Sequence, residues 1–280
     1  MPYKTREDLK RHVVEAFAVR DEVYRICFFG REAEGQHDTY SDIDMIVYSQ
    51  DLAKTQAHYR QVFATISPIR ATFPLVGSPE GYSEMVMLRD YSPYQKIDFS
   101  IGDWGKQDWL LLTLYERPEP PQPPSTILEP LDIRQDVAYK LMDVLFSIAR
   151  FTKCLFRHDI DMYRRWESIT DLTLVMLYEK YFGWQTETLK RRLGPYESKQ
   201  LITALSSEDR EWIYKIRSPD ANLNLAQSYQ NSIALFVALS RQKAAYFGVT
   251  LDEDFIAYMM DFMDTEMARY HEEEKGGRGV

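Results

Sequence analysis

Apolar positions along the first hundred residues change period several times, and each change predicts an element. Thr5 and the acidic pair Glu7 and Asp8 precede Leu9, Val13 and Phe17, spaced i, i+4, i+8, which predicts an N-capped amphipathic helix to about Arg20. VYRICFF, from Val23 to Phe29, is β-branched and aromatic and stops at Gly30, so it predicts a strand. Residues 42 to 48 predict a second strand, and 51 to 66 a helix with Leu52, Tyr59, Phe63 and Ile66 on its inner side. PLVGSPEG, from Pro74 to Gly81, reads as turns. SEMVML (Ser83 to Leu88) and KIDFSI (Lys96 to Ile101) then read as strands joined through the YSPY turn at Tyr91 to Tyr94.

Beyond Arg117 the pattern is different. RPEPPQPPSTILEP, from Arg117 to Pro130, holds six of the thirteen prolines, which predicts an extended, stiff connector. Past it the period is helical throughout, over 132–157, 159–182, 197–206, 208–217, 219–247 and 251–270, with Thr250 and Glu253 spaced as a capping box and a frayed GGRGV end. The expected organisation is a mixed-sheet domain over 1–116, a linker over 117–130 and an all-α helical bundle over 131–280, in the α+β class.

Composition narrows the function classes. The net charge of −9 is spread evenly: residues 1–116 carry 13 Lys/Arg against 18 Asp/Glu, or −5, and the rest carry 21 against 25, or −4. Nucleic-acid affinity is built on clustered Lys and Arg, so neither half predicts a nucleic-acid partner. No run of about 18 apolar residues predicts a membrane span, and MPYKTRED lacks the apolar core of a secretory signal. With Cys27 and Cys154 as the two cysteines, both in apolar surroundings, buried thiols and a cytoplasmic location are the expectation.

One stretch departs from the bland pattern. FFGREAEGQHDTYSDIDMIV, from Phe28 to Val47, sets Asp42 and Asp44 two residues apart in an otherwise apolar strand, behind a glycine-bearing loop. Alternate residues of a strand share a face, so the two carboxylates sit side by side, and burying them without a cation or donors is costly. A third carboxylate, Asp98, lies between Ile97 and Phe99. Carboxylates on neighbouring strands suit Mg²⁺ and phosphate oxygens, and three can hold two metals. The plainer alternative is that Asp42 and Asp44 end a strand in water while Asp98 pairs with Lys96 or an arginine. The histidines at 12, 37, 58, 158 and 271 have no metal-ligand spacing, and GREAEGQ lacks the lysine of a P-loop.

The order Gly30, Arg31, Gly35, then SDIDM resembles the signature of the nucleotidyltransferase superfamily, the fold shared with DNA polymerase beta. The strand, YSPYQK turn and IDFSI strand are similar to the third-carboxylate hairpin of aminoglycoside 6-adenylyltransferases. This resemblance covers about 75 residues. It implies Mg²⁺-dependent transfer of a nucleoside monophosphate from an NTP, ATP foremost, to a hydroxyl of a small molecule, with antibiotic modification as the best-motivated subclass. On that basis Asp42, Asp44 and Asp98 are the catalytic and metal residues, and Gly30, Arg31 and Ser41 meet the nucleotide. Arg31 departs from the family's usual serine. Glu84, Glu167 and Asp171 are candidate acceptor-side carboxylates. The rival readings are a catalytically impaired nucleotide- or protein-binding regulator, to which Arg31 lends support, and an antitoxin-like transferase acting on proteins.

Overall fold

A computed structural model describes residues 4–78, 81–102, 110–118, 128, 136–187, 192–216 and 223–277. The chain divides into two compact units, Met1–Ile133 and Arg134–Val280. Most of the proline-rich 117–130 segment lies outside the described residues.

Among the described residues, the first unit is a six-stranded mixed sheet with two helices on one face. Its elements are α1 (Arg6–Ala18), β1 (Val23–Phe28), β2 (Ile43–Ser49), α2 (Leu52–Ile66), β3 (Ile69–Ser78), β4 (Gly81–Leu88), β5 (Ile97–Gly102) and β6 (Leu112–Glu116). The strand order is β3-β4-β5-β2-β1-β6, and β2 and β5 run parallel while the other neighbours are antiparallel. Thr5 caps α1 by accepting from the Asp8 N–H, and Asp51 caps α2 by accepting from that of Lys54. Leu9, Val13 and Phe17 of α1 and Tyr59, Val62 and Phe63 of α2 are buried against Ile43, Met45, Val47, Ile97, Phe99 and Ile101. Phe99 stands at the centre, 5.4 Å from Phe17 and 5.1 Å from Phe63 between ring centroids. The opposite face carries a small apolar group around Cys27, Ile46 and Tyr48 and, on β3 and β4, the buried Phe73, Met85 and Met87.

Two strands escape the sequence pattern. The turn-rich PLVGS is the second half of β3, and its register slips between Pro74 and Val76. β3 is an edge strand, where a proline's missing N–H costs least. β6 at the other edge is mostly exposed, so no alternation marks it. The YSPY hairpin turn is a 3₁₀ turn over Pro93–Gln95, capped by Ser92.

The second unit consists, among the described residues, of α3 (Val137–Phe156), α4 (Asp161–Phe182), α5 (Pro195–Ala204), α6 (Ser207–Ile216), α7 (Leu223–Phe247) and α8 (Glu253–Gly277). α7 packs against α3, α4, α6 and α8. Phe151 of α3 stacks on Tyr229 of α7, and Lys243 of α7, fully buried, donates to Glu179 of α4 at 2.7 Å. The α8 cap is two residues later than the sequence suggests: Asp252, not Thr250, accepts from the Phe255 N–H. The helix also continues to Gly277, past the expected end at 270. Among the described residues, no helix is long and apolar enough to cross a membrane.

Candidate active site on the carboxylate face of the sheet

The pairing of β2 with β5 builds the site. Asp44 and Asp98 are register partners on adjacent parallel strands, and Asp42 lies just before β2, where the Ile43 N–H donates to the Lys96 carbonyl. Period-two alternation puts Ile43, Met45, Ile97 and Phe99 into the helix-covered core, and so turns Asp42, Asp44 and Asp98 to the other face. All three are half-buried.

Lys96 stands among them. It is 2% exposed, and its ammonium donates to Asp42 at 3.0 Å and to Asp98. This is the Asp98–Lys96 pair of the plainer alternative, extended to Asp42. The same alternation that faces Asp98 outward faces Lys96, two residues earlier, beside it. Formal charges of these four side chains sum to −3 + 1 = −2. Among the described residues, no group of three or more His, Cys, Asp or Glu forms a cluster that could hold a metal ion. The expected three-carboxylate cage is thus divided by an internal cation.

Gly30 closes the site from the loop side. It sits at φ +61°, in the left-handed region, and a Cβ there would come within 2.5 Å of Asp44 Oδ2. Only glycine lets the loop backbone approach this carboxylate so closely. The Phe29 N–H donates to the Asp44 carbonyl, and the loop then turns on itself through Glu34 N–H to Gly30 O and Gln36 N–H to Arg31 O. The Arg31 side chain is exposed.

A brace from α1 holds the start of β2, and the sequence reading missed it. Arg6, 7% exposed, donates from Nε to Ser41 O at 3.2 Å and from Nη2 to Asp42 O at 3.0 Å. Its Nη1 pairs with buried Glu32, which also pairs with Lys10. Burial pushes the Glu32 carboxyl up, but hydrogen bonds from Lys10 and Arg6 outweigh it and hold it below its ordinary value. The signal was present in sequence as a helix whose polar face carries Arg6 and Lys10 one turn apart, yet nothing local points to Glu32 as their partner.

The remaining expected site residues fall elsewhere. Ser41 is 1% exposed, and its hydroxyl donates to Asp38 Oδ1 and accepts from the Asp38 N–H, so it closes a turn. Glu84 is fully buried on the helix-covered face, opposite Phe99 in register and away from Asp42, Asp44 and Asp98. There it takes hydrogen bonds from Tyr59 and, at 2.8 Å, from Arg60. Burial first, then the Glu84 charge, pushes the Tyr59 hydroxyl up, so Tyr59 stays a donor. Glu167 and Asp171 are on α4 in the helical unit; Glu167 is exposed and Asp171 lies 3.6 Å from Arg192.

No family model and no curated protein matches the chain. Among solved structures, the chain is similar to an aminoglycoside 6-adenyltransferase from Bacillus subtilis, at 13% identity and TM-score 0.34, over 94% of this chain and 98% of that one. It is also similar to a candidate nucleotidyltransferase from H. pylori, at 13% identity and TM-score 0.26, over 86% of this chain and 96% of that one. Likenesses with such TM-scores carry no weight for function.

Proposed function

We propose that the carboxylate face of the sheet binds a nucleoside triphosphate with Mg²⁺ and transfers its nucleoside monophosphate to a hydroxyl of a small molecule. The observation that carries this reading is the in-register pair Asp44 and Asp98 with Asp42 beside them, pressed against a left-handed glycine and left with a net charge of −2 by a single lysine. Hard oxygen donors with uncompensated negative charge, at a loop whose backbone comes within contact of them, suit a divalent ion carrying phosphates.

The residues fit one such ion better than two. Asp42 and Asp44 would hold it, and the ion would neutralise triphosphate charge when bound. Lys96 supplies the second positive charge through Asp98 and Asp42. Asp98 would take the proton of the attacking hydroxyl, directly or through water. The backbone of Gly30 and Arg31 would cradle phosphate oxygens, and the exposed Arg31 guanidinium is long enough to swing onto them and grip two at once. The even negative charge of the chain favours a cationic acceptor over a nucleic acid, and an aminoglycoside-like antibiotic is the acceptor class this reading names first.

A second reading, a regulator that binds nucleotide or a partner protein without turnover, is favoured by Lys96, whose one ammonium already pairs with two of the three carboxylates. Incubation with NTPs labelled at the α-phosphate, with Mg²⁺ and panels of hydroxylated small molecules and proteins, separates the two. Label in a small molecule supports transfer; label in protein favours a protein-modifying enzyme. Retained nucleotide binding with no labelled product favours the regulator.

A further inference from the structure

The helical unit contains a cavity of about 350 Å³ between α3 and α4 that plays no part in the carboxylate site. Ser147 and Arg150 of α3 line it together with Arg164 and Arg165 of α4, and so do Asp143 and Asp161. Three guanidinium groups face two carboxylates, a local formal balance of +1 in a chain whose net charge is −9. Asp161 is engaged by Arg164 at 3.4 Å, but that pair is solvent-exposed, and exposed pairs of this kind are weak.

Arg165 is the telling residue. Its Nε is buried and has no hydrogen-bond partner among the described residues, a condition that protein interiors seldom tolerate. The Ser147 hydroxyl on the cavity wall donates to the Val144 carbonyl at 2.6 Å, and the lining holds no carboxylate beyond Asp143 and Asp161. A cationic ligand would meet three arginines. Guanidinium forks match the tetrahedral oxygens of phosphate, and the volume is that of a small-ligand pocket.

We infer that this cavity binds a small molecule through a phosphate or diphosphate group held by Arg150, Arg164 and Arg165. The inference does not rest on nucleotidyl transfer, since every residue it uses belongs to the helical unit. The test is calorimetric titration of the full chain with pyrophosphate and, separately, with adenosine monophosphate, both in EDTA so that no divalent ion engages the carboxylate face. Saturable binding of either probe is expected, with pyrophosphate alone pointing to an inorganic ligand and the monophosphate to an organic ester. Arg165→Met and Arg164→Gln should each weaken it by roughly tenfold or more, the loss of one charge-assisted hydrogen bond. Because Arg164 is on the surface, its variant decides the matter even if Arg165→Met fails to fold. No saturable heat with either probe, or binding unchanged in Arg164→Gln, would overturn the proposal.

Discussion

Gly30 ties the loop to the carboxylates through a single missing atom. At φ +61° any other residue pays the left-handed cost, and its Cβ would also press on Asp44 Oδ2. Gly30→Ala should therefore destabilise the first unit by about 1–2 kcal/mol from the backbone alone, read by urea unfolding, and should displace Asp44 as well. Asp42, Asp44 and Asp98 were legible in the sequence because alternation in an apolar strand makes an acidic residue conspicuous. Glu84 was conspicuous for the same reason, yet it lies on the other face. One residue of phase decides between the two faces: Glu84 pairs with Phe99 and goes inward, whereas Met85 pairs with Asp98. Sequence shows the period of a strand, but its phase relative to a neighbour depends on a register set elsewhere in the fold.

At the scale of elements, α1 covers the core and also fixes the start of β2. Breaking a buried ion pair from one side leaves an uncompensated charge, so Arg6→Met should cost about 3 kcal/mol, the low end of the usual range because Lys10 remains with Glu32. It also frees the carbonyls of Ser41 and Asp42. The loss would be measured as a lower denaturation midpoint. The same cluster predicts a pH dependence. The folded Glu32 carboxyl lies below its ordinary 4.5, so its contribution is complete above that value and is lost as pH falls through the lower folded value. The stability difference between the parent and Glu32→Gln should thus be constant from neutral pH to about 5 and shrink below 4.5; a difference that grows on acidification would contradict the assignment. Most helices were legible because their apolar stripes are long, and α1, β1, β2 and α2 fell within one to two residues of expectation. β3 and β6 were not, since β3 at one edge carries a proline and β6 at the other is mostly exposed, and each erases a signal by which a strand is read.

Across the whole chain, two compact units divide the polar chemistry between them. The first gathers carboxylates on one sheet face, and the second gathers arginines around a cavity. Composition alone hides this, because both halves carry nearly the same net charge. The central claim is that the carboxylate face takes nucleotide and divalent ion together, since Lys96 offsets only one of three negative charges. Calorimetric titration of ATP into the full chain, with Mg²⁺ and then with EDTA, for the parent and for Asp44→Asn, tests it most directly. The arginine cavity can give a signal in both solvents, so the Mg²⁺-dependent difference is the quantity to read. The account predicts a clear gain in affinity on adding Mg²⁺ to the parent and none in Asp44→Asn; equal binding with and without Mg²⁺ in the parent, or an undiminished gain in the variant, would contradict it.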